Sequence, residues 1–334
     1  MELMETLKAR RLLINLELDK MLDVGNQPRL KDAMRHLPLV DTSKRLRPLL
    51  AMLSAEAVSE GPSGPSAMRT IPFALALEVI HNFTLVHDDI MDDDQLRRGV
   101  PTVHVEYDTP TAINAGDALF ARAFEILSRL DVEDRVLRDV LHDVAQMVRE
   151  IGEGQQWDLD FGERMDVSVD EYMRMVELKT ARIFQMAAKG GALIGGGTAK
   201  QIKDLEEYGR LIGVGFQILD DILDFKRDTS LKSAGSDIRQ GKRTLMVLHC
   251  LENLEDGSSE KKEFLSILGN NEASDDDIKR SLDIMNSTGS IDFAQEKAIE
   301  YGNLALKKLK VLKDSESRTI LENFAKFMVE GRTF

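Results

Sequence analysis

Two stretches of the chain carry three aspartates each in the spacing Asp-Asp-x-x-Asp, one beginning at Asp88 and the other at Asp220. Both follow an apolar run, so each trio is expected at the end of a buried helix. On a helix the first and last aspartates, Asp88 with Asp92 and Asp220 with Asp224, lie one turn apart on the same face. Crowded carboxylates resist burial unless cations neutralise them. Each trio is therefore predicted to supply a pair of divalent-metal ligands.

A single trio is also typical of a helix end that faces water. The second copy of the same spacing is what favours a functional interpretation. Hard oxygen ligands without clustered histidine or cysteine favour magnesium, with manganese as an alternative. Magnesium commonly bridges a few carboxylates to substrate phosphates. The two trios therefore predict a diphosphate substrate that is held through metal ions.

Two basic clusters, Lys44-Arg45-Leu46-Arg47 and Arg97-Arg98, stand out in an otherwise acidic chain. Either cluster alone is typical of solvated surface charge, but arginine forks and lysine ammonium groups also suit phosphate oxygens. The first cluster precedes Pro48 at the start of a helical run, where a bound anion would offset the repulsion between basic residues and the helix dipole. Both clusters are therefore candidate phosphate-binding groups.

Composition limits the class of protein. The 334 residues carry a formal net charge of -14 and are 43% hydrophobic, which argues against nucleic-acid binding because that relies on clustered positive charge. The single cysteine, Cys250, excludes an internal disulfide. The N-terminus lacks the basic start of a signal peptide, and charges or glycines interrupt the apolar runs before the roughly 18 residues that span a bilayer. We expect a globular cytoplasmic protein without a transmembrane segment.

An all-α fold in a single domain over 1–334 is predicted. All eight prolines lie at or before Pro110, and apolar residues recur at helical spacing while alternating strands are absent. Thr109 is predicted to cap one helix, and Ser168 to begin another with a capping box. Helices are expected over about 5–22, 27–39, 49–57, 72–91, 110–130, 133–161, 169–189, 200–225, 278–286 and 291–312.

Taken together, these motifs resemble the trans-isoprenyl diphosphate synthase family, in particular its archaeal-type short-chain geranylgeranyl diphosphate synthases. The resemblance covers about residues 40–250. It implies an isoprenoid synthase-type helical bundle around a central elongated cavity, a homodimer, and two or three Mg²⁺ ions per active site. The segments that carry it are Lys44-Arg45-Leu46-Arg47-Pro48, Asp88-Asp89-x-x-Asp92 with Arg97-Arg98-Gly99, Lys179-Thr180, Phe216-Gln217-x-x-Asp220-Asp221-x-x-Asp224, Gly235-Ser236-Asp237 and Gly241-Lys242.

The implied reaction joins isopentenyl diphosphate to dimethylallyl, geranyl or farnesyl diphosphate by ionising the allylic C–O bond. The implied metal ligands are Asp88, Asp92, Asp220 and Asp224, with Asp89 and Asp221 as further catalytic carboxylates. The implied contacts to the allylic diphosphate are Arg97, Lys179, Thr180, Gln217, Lys232 and Lys242, of which Arg97 and Lys179 are also catalytic. The implied contacts to isopentenyl diphosphate are Lys44, Arg47, His81 and Arg98.

The chain departs from the family pattern at Ser43 and Leu231, which stand where glycine is usual before the lysines of two motifs. The backbone of both loops is therefore expected to differ from that of the family. Asp93 and Asp94 are assigned no role beyond a solvated helix end.

Product length is expected to depend on Phe83 and Thr84. A helical turn rises about 5.4 Å, close to one isoprene unit, so a bulky side chain a turn or two before Asp88 would limit the product. The helical wheel places Thr84 nearer the aspartate face, whereas the family favours Phe83, and a single aromatic there implies mainly geranylgeranyl with some farnesyl diphosphate. The alternatives are a farnesyl or longer-chain synthase, a terpene cyclase, and a non-catalytic regulatory subunit of such a synthase.

Overall fold

The computed structural model describes residues 2–59, 61, 64–226 and 235–330. The regular secondary structure of these residues is almost entirely α-helical, which confirms the all-α prediction; the other regular elements are a π-helical turn at Glu177–Ala181, a 3₁₀ turn at Leu309–Val311 and two short strands. The elements are α1 (Glu2–Thr6), α2 (Lys8–Leu22), α3 (Pro28–His36), α4 (Leu46–Val58), α5 (Pro65–Arg69), α6 (Ile71–Met91), β1 (Leu96–Arg97), β2 (Val100–Pro101), α7 (Val103–Glu106), α8 (Thr109–Leu127), α9 (Asp134–Glu163), α10 (Val169–Val176), α11 (Arg182–Ile194), α12 (Ala199–Lys226), α13 (Ser236–Arg239), α14 (Leu245–Asn253), α15 (Ser259–Ile267), α16 (Asp275–Ser287), α17 (Ser290–Lys308) and α18 (Glu316–Val329).

The chain forms two compact units, each assembled from separate segments. The prediction of one domain over 1–334 stays a prediction. The first unit comprises Met1–Val148, Ile183–Gly209 and Lys308–Asn323, and the second comprises Arg149–Arg182, Arg210–Lys307 and Phe324–Phe334.

Helix α6 is the central helix of the first unit, as its apolar sequence predicts. It packs against α4 and α8, and the consecutive residues Phe73, Ala74, Leu75 and Ala76, which point in four directions around the helix, are all fully buried. By length and composition alone, Pro65–Met91 is apolar enough to cross a membrane, contrary to the expectation that no run would be, but 67% of that window is buried inside the protein. Burial in a protein core accounts for its composition.

The helix starts confirm one predicted cap and correct another. Ser168 forms the predicted capping box with Glu171 at the start of α10. At α8, however, Asp108 is the cap, because its carboxylate accepts a hydrogen bond of 2.7 Å from the backbone N–H of Thr111. Thr109 is instead the first residue of the helix.

The π-helical turn at Glu177–Ala181 follows α10 in the second unit. It carries Lys179 and Thr180, two of the predicted substrate contacts. A π-helical turn widens a helix and recurs at functional sites, where it changes the direction of side chains.

Candidate active site

The first aspartate trio lies at the C-terminal end of α6, as predicted. The backbone N–H of Asp92, just after the helix, bonds to the carbonyl of Asp88 at 2.8 Å. Asp88 and Asp92 are partly exposed, whereas Asp89 is completely buried. The first and last residues of the trio are therefore partly accessible to solvent, and the middle one belongs to the protein interior.

A short hairpin returns Arg97 to this helix end. Strands β1 and β2 pair in antiparallel fashion, and the two turn residues, Arg98 and Gly99, have φ values of 55° and 83°, as a tight two-residue turn requires. Arg97 then donates to Asp89 Oδ1 at 2.7 Å through Nε and to Asp94 Oδ2 at 2.6 Å through Nη2. Asp94 is thus a counter-ion of Arg97, a role that the sequence did not reveal.

Asp89 has an incomplete set of partners. Its Oδ2 atom is buried and accepts no hydrogen bond. Burial raises the pKa of Asp89 to about 6, although Arg97 lowers it. A cation close to this helix end would stabilise the ionised carboxylate, so the donor set fits a divalent metal.

Two turns before Asp88 on α6, His81 contacts Arg47 of the first basic cluster. Arg47 Nη1 lies 3.0 Å from His81 Nε2, and the Arg47 guanidinium stacks over the Phe184 ring at 4.6 Å. Burial lowers the pKa of His81 well below 6.5, and the nearby Arg47 and Arg98 lower it further. The imidazole is therefore neutral at pH 7, with Nε2 accepting from Arg47 and the ring proton on Nδ1.

The first basic cluster is divided between two roles. Arg45 is buried and forms an ion pair of 2.6 Å with the buried Glu78, and it also donates to Asn15 Oδ1 at 2.9 Å and to the carbonyl of Pro38. Burial would raise the pKa of Glu78, but Arg45 and Arg98 together lower it. Arg45 is thus a structural residue, and only its neighbours in the cluster remain candidates for binding phosphate.

Arg98 is hydrogen-bonded to Asn82, the residue that follows His81 on α6. Its Nη1 atom donates to Asn82 Oδ1 at 3.1 Å and to the carbonyl of Leu37 at 3.2 Å, while Asn82 donates to the carbonyl of Glu78 at 2.7 Å. Sequence reasoning missed Glu78 and Asn82. The signal for them was available, since they are polar residues four apart in an apolar helix.

The loop before α4 shows how the chain accommodates Ser43. The residue with left-handed backbone is Arg45, at φ 56°, and Ser43 has a negative φ. A serine at position 43 therefore causes no backbone strain. Lys44 lies between them and is partly exposed.

In the second unit, three predicted residues form one chain of hydrogen bonds. Thr180 Oγ1 donates to Gln217 Oε1 at 2.7 Å, and Gln217 Nε2 donates to Asp221 Oδ1 at 2.7 Å. The other oxygen of Asp221 accepts from the buried Tyr172 hydroxyl at 2.6 Å, a contact that the sequence did not predict. Burial raises the pKa of Asp221 well above its usual value, and Asp237 adds to this.

More carboxylates crowd the same end of α12. Asp224 accepts from Ser236 Oγ at 3.1 Å and from the backbone N–H of Asp237 at 3.3 Å. Burial raises the pKa of Asp237 to about 6, against the opposing charge of Lys242, and Asp224 and Asp220 raise it further. Lys242 Nζ lies 3.5 Å from Asp237. This excess of negative charge fits the predicted binding of a cation at Asp220 and Asp224.

Lys179 on the π-helical turn has a carboxylate partner that the sequence did not predict. Its Nζ atom lies 2.5 Å from Asp158 Oδ2 on α9. Burial would raise the pKa of Asp158, but Lys179 and Lys242 lower it. Asp158 therefore remains ionised and holds Lys179 at this end of the unit. Lys232 lies outside the residues that the structure describes.

Over residues 2–59, 61, 64–226 and 235–330, no group of three or more histidine, cysteine, aspartate or glutamate side chains is arranged to hold a metal ion. Magnesium usually retains several waters and binds through one or two carboxylates plus substrate phosphates. The donors therefore fit a metal that arrives with a phosphate ligand, and they do not form a preformed cage.

Comparisons with known proteins agree with the motifs. A family profile described as polyprenyl synthetase matches residues 27–285. The chain is 41% identical to a geranylgeranyl diphosphate synthase of Methanosarcina mazei over 98% of both chains, and 38% identical to a geranylfarnesyl diphosphate synthase of Natronomonas pharaonis over 96% of this chain and 95% of that one. The crystal structure of a geranylgeranyl pyrophosphate synthetase from Pyrococcus horikoshii superimposes with a TM-score of 0.91 at 39% identity, covering 99% of each chain.

Proposed function

Since the chain belongs to the polyprenyl synthetase family, we propose that it makes mainly geranylgeranyl diphosphate, with some farnesyl diphosphate, from isopentenyl diphosphate and an allylic primer. Short-chain prenyl transfer, a step of isoprenoid biosynthesis, is the activity of the chain. The observation that carries the proposed reaction is that each unit holds an aspartate trio at a helix end, with its middle carboxylate buried and hydrogen-bonded to protein groups. A non-catalytic regulatory subunit has no need of both aspartate trios.

Divalent metal ions are general in this family. We propose that two or three Mg²⁺ ions, replaceable by Mn²⁺, are held by Asp88, Asp92, Asp220 and Asp224. When bound, they would neutralise the diphosphate and make it a better leaving group.

The chain's own residues bind and orient the two diphosphates. Arg97, which Asp89 and Asp94 orient, would contact the allylic diphosphate, as would Lys179, held by Asp158. These cations stabilise the negative charge that develops on the departing diphosphate. The remaining proposed contacts to this diphosphate are Thr180, Gln217, Lys232 and Lys242.

Isopentenyl diphosphate would bind to Lys44, Arg47, Arg98 and His81. Because Arg47 donates to Nε2 of the neutral His81, the Nδ1–H group is the one able to donate to a diphosphate oxygen. The alkene attacks the allylic cation, and the proton then lost passes to the released diphosphate. No side chain is required as a nucleophile.

The proposal includes a homodimer that works in the cytoplasm. Static light scattering of the purified chain should give a mass of about twice 37.5 kDa. A monomer at working concentration would contradict this part of the proposal.

Incorporation of labelled isopentenyl diphosphate by the purified chain, with Mg²⁺ and with dimethylallyl, geranyl or farnesyl diphosphate as primer, tests the reaction. Incorporation with each primer and chromatography showing geranylgeranyl as the main chain are expected. Products that stop at farnesyl, or that extend beyond geranylgeranyl, would support the farnesyl or longer-chain alternative. If no primer is extended, the chain is not a synthase by itself and the regulatory-subunit alternative gains support.

Replacing Phe83 by alanine is expected to lengthen the products. Phe83 lies five residues before Asp88 on α6, about one turn and a half along the helix, where its ring would stop the growing chain. The geranylgeranyl fraction should fall in favour of chains with at least one more isoprene unit. Chromatography of the products checks this, and an unchanged distribution would remove Phe83 from the role.

The variant Gly154→Ala is expected to slow turnover, because α9 packs on the π-helical turn at this glycine. An added Cβ would lie 2.8 Å from Cα of Lys179 and would overlap its backbone nitrogen, so the turn must shift. A displacement of about 1 Å at a catalytic group can cost roughly a hundredfold in rate. Steady-state kinetics of Gly152→Ala provide the control, since that position has no atom within 4 Å of an added Cβ; equal rates for both variants would contradict the argument.

A further inference from the structure

We propose that Asn15, on α2, is a positioning residue for the binding of isopentenyl diphosphate, because it anchors the side chain of Arg45 between Lys44 and Arg47. The inference rests on the proposed function, in which Lys44 and Arg47 bind that diphosphate. Asn15 lies before residues 27–285, the part of the chain that the polyprenyl synthetase profile matches. The inference therefore adds to the site a residue that the family profile does not cover.

Helix α2 is docked on the first unit by one buried face. Ile14, Leu18 and Leu22 follow each other at a spacing of four residues, which places them on that face, and all three are completely buried. The helix packs against α3, α4 and α6. Asn15 is next to Ile14 and is partly buried, so its side chain lies at the edge of this interface.

The guanidinium of Arg45 has three partners, each from a different part of the chain. Nε donates to Asn15 Oδ1 at 2.9 Å, Nη1 donates to Glu78 Oε1 at 2.6 Å, and Nη2 donates to the carbonyl of Pro38. Three contacts in different directions fix both the position and the plane of this rigid group. Arg45 is only 2% exposed, so water does not readily replace a partner that is lost.

The anchored side chain belongs to a residue with an unusual backbone conformation. Arg45 has φ 56° and ψ 35°, in the left-handed region, and immediately precedes α4. A residue other than glycine stays in this region only when the surrounding structure holds it there. Lys44 comes just before this residue and Arg47 lies in the first turn of α4, so the directions of both side chains depend on the conformation at Arg45.

The segment between α3 and α4 extends this dependence to Arg98. The carbonyl of Leu37, next to that of Pro38, accepts from Arg98 Nη1 at 3.2 Å, and the hydroxyl of Thr42 donates to the carbonyl of Arg98 at 3.4 Å. The segment that Arg45 fixes at Pro38 therefore also contacts Arg98. Asn15 thus acts, through Arg45, on the cations proposed to bind isopentenyl diphosphate.

Replacing Asn15 by alanine is expected to raise the KM for isopentenyl diphosphate by roughly threefold to tenfold. The loss of one hydrogen bond from a charged donor shifts the balance between the anchored and the released Arg45 by about tenfold, and a site that is correctly arranged only part of the time binds correspondingly more weakly. The KM for the allylic primer and kcat should stay within about twofold of wild type. Alanine favours a helix more than asparagine does, so α2 itself should be preserved.

Two further variants separate positioning from a general loosening of α2. Asn15→Asp keeps an acceptor oxygen at the same reach and should restore the wild-type KM for isopentenyl diphosphate. Arg10→Met removes another contact between α2 and α4, the pair in which Arg10 Nη2 lies 2.7 Å from Oε2 of the buried Glu56. This variant should lower the thermal midpoint but leave the KM within about twofold of wild type, because its contact does not involve Arg45.

The experiment measures initial rates of isopentenyl diphosphate incorporation at saturating Mg²⁺, first with isopentenyl diphosphate varied and then with geranyl diphosphate varied. A selective rise in the first KM for Asn15→Ala, with recovery in Asn15→Asp, supports the inference. A KM for isopentenyl diphosphate within twofold of wild type in Asn15→Ala would overturn it, as would an equal rise in Arg10→Met or an equal rise in the KM for geranyl diphosphate. Absence of incorporation by the wild-type chain with any primer would instead overturn the proposed function, and the inference with it.

Discussion

The variant Asp88→Asn is expected to lose prenyl transfer by roughly a thousandfold or more, because a ligand of the proposed metal site becomes neutral. Asparagine has nearly the same size, and Asp88 is a partly exposed residue in the last turn of α6, so the helix should be preserved. Initial rates of isopentenyl diphosphate incorporation at saturating Mg²⁺ measure the effect. Circular dichroism of the same sample establishes that the fold is retained.

Asp93→Asn is the matched control for this variant, since it makes the same chemical change five residues later in the same acidic stretch. The side chain of Asp93 is 91% exposed, and its φ of 53° is one that asparagine adopts as readily as aspartate. Its rate should stay within about twofold of wild type. A metal role for Asp88 would be contradicted by retained activity in Asp88→Asn, or by an equal loss in both variants.

Replacing Glu78 by glutamine is expected to lower the free energy of unfolding by about 3 kcal/mol, because it leaves the buried guanidinium of Arg45 without a counter-charge. Both side chains are almost completely buried and lie 2.6 Å apart. Urea unfolding at pH 7 measures the change. The variant should also bind isopentenyl diphosphate less tightly, since Arg45 adjoins Lys44 and Asn82 links Glu78 to Arg98.

The effect of Glu78 also has a predicted dependence on pH. The folded state holds the pKa of this carboxyl below 4.5, so its stabilising contribution is present above pH 4.5 and is lost as the pH falls through the folded pKa. Wild type and Glu78→Gln should therefore converge in stability under acidic conditions. A difference that persists unchanged at low pH would show that charge is not its cause.

Glu300→Gln provides the control for stability, since Glu300 pairs with Lys297 at 2.9 Å on the surface. Both side chains are substantially exposed, and a pair of this kind contributes less than about 1 kcal/mol. A loss as large as that of Glu78→Gln would mean that burial is not what makes the Arg45 pair important.

The sequence by itself determined most of the longer helices and the aspartate trios at the ends of two of them. The length of α6, its burial on several sides and the capping box at Ser168 follow from spacing within about 20 residues. Repulsion between Asp88 and Asp92 and their shared helix face are also local properties. These features could be predicted because each depends on neighbours in the chain.

Tertiary structure alone decided which members of a motif are buried supports and which remain candidate ligands. Arg45 and Arg47 are nearly adjacent, yet one is buried against Glu78 and the other meets His81. Their partners are more than 30 residues away in the chain. No local pattern records which helix faces meet. A local prediction can also be one residue off, since Asp108 caps α8 in place of Thr109.

The same holds for the second trio, where Asp221 is bound by Tyr172 from 49 residues away, and Lys179 is held by Asp158 from another helix. Burial sets the strength of these contacts, because an ionisable group removed from water must find its hydrogen bonds and counter-charge among whatever the fold brings near. Sequence spacing identified the candidate groups for the chemistry; packing between distant segments assigned the partners that orient them.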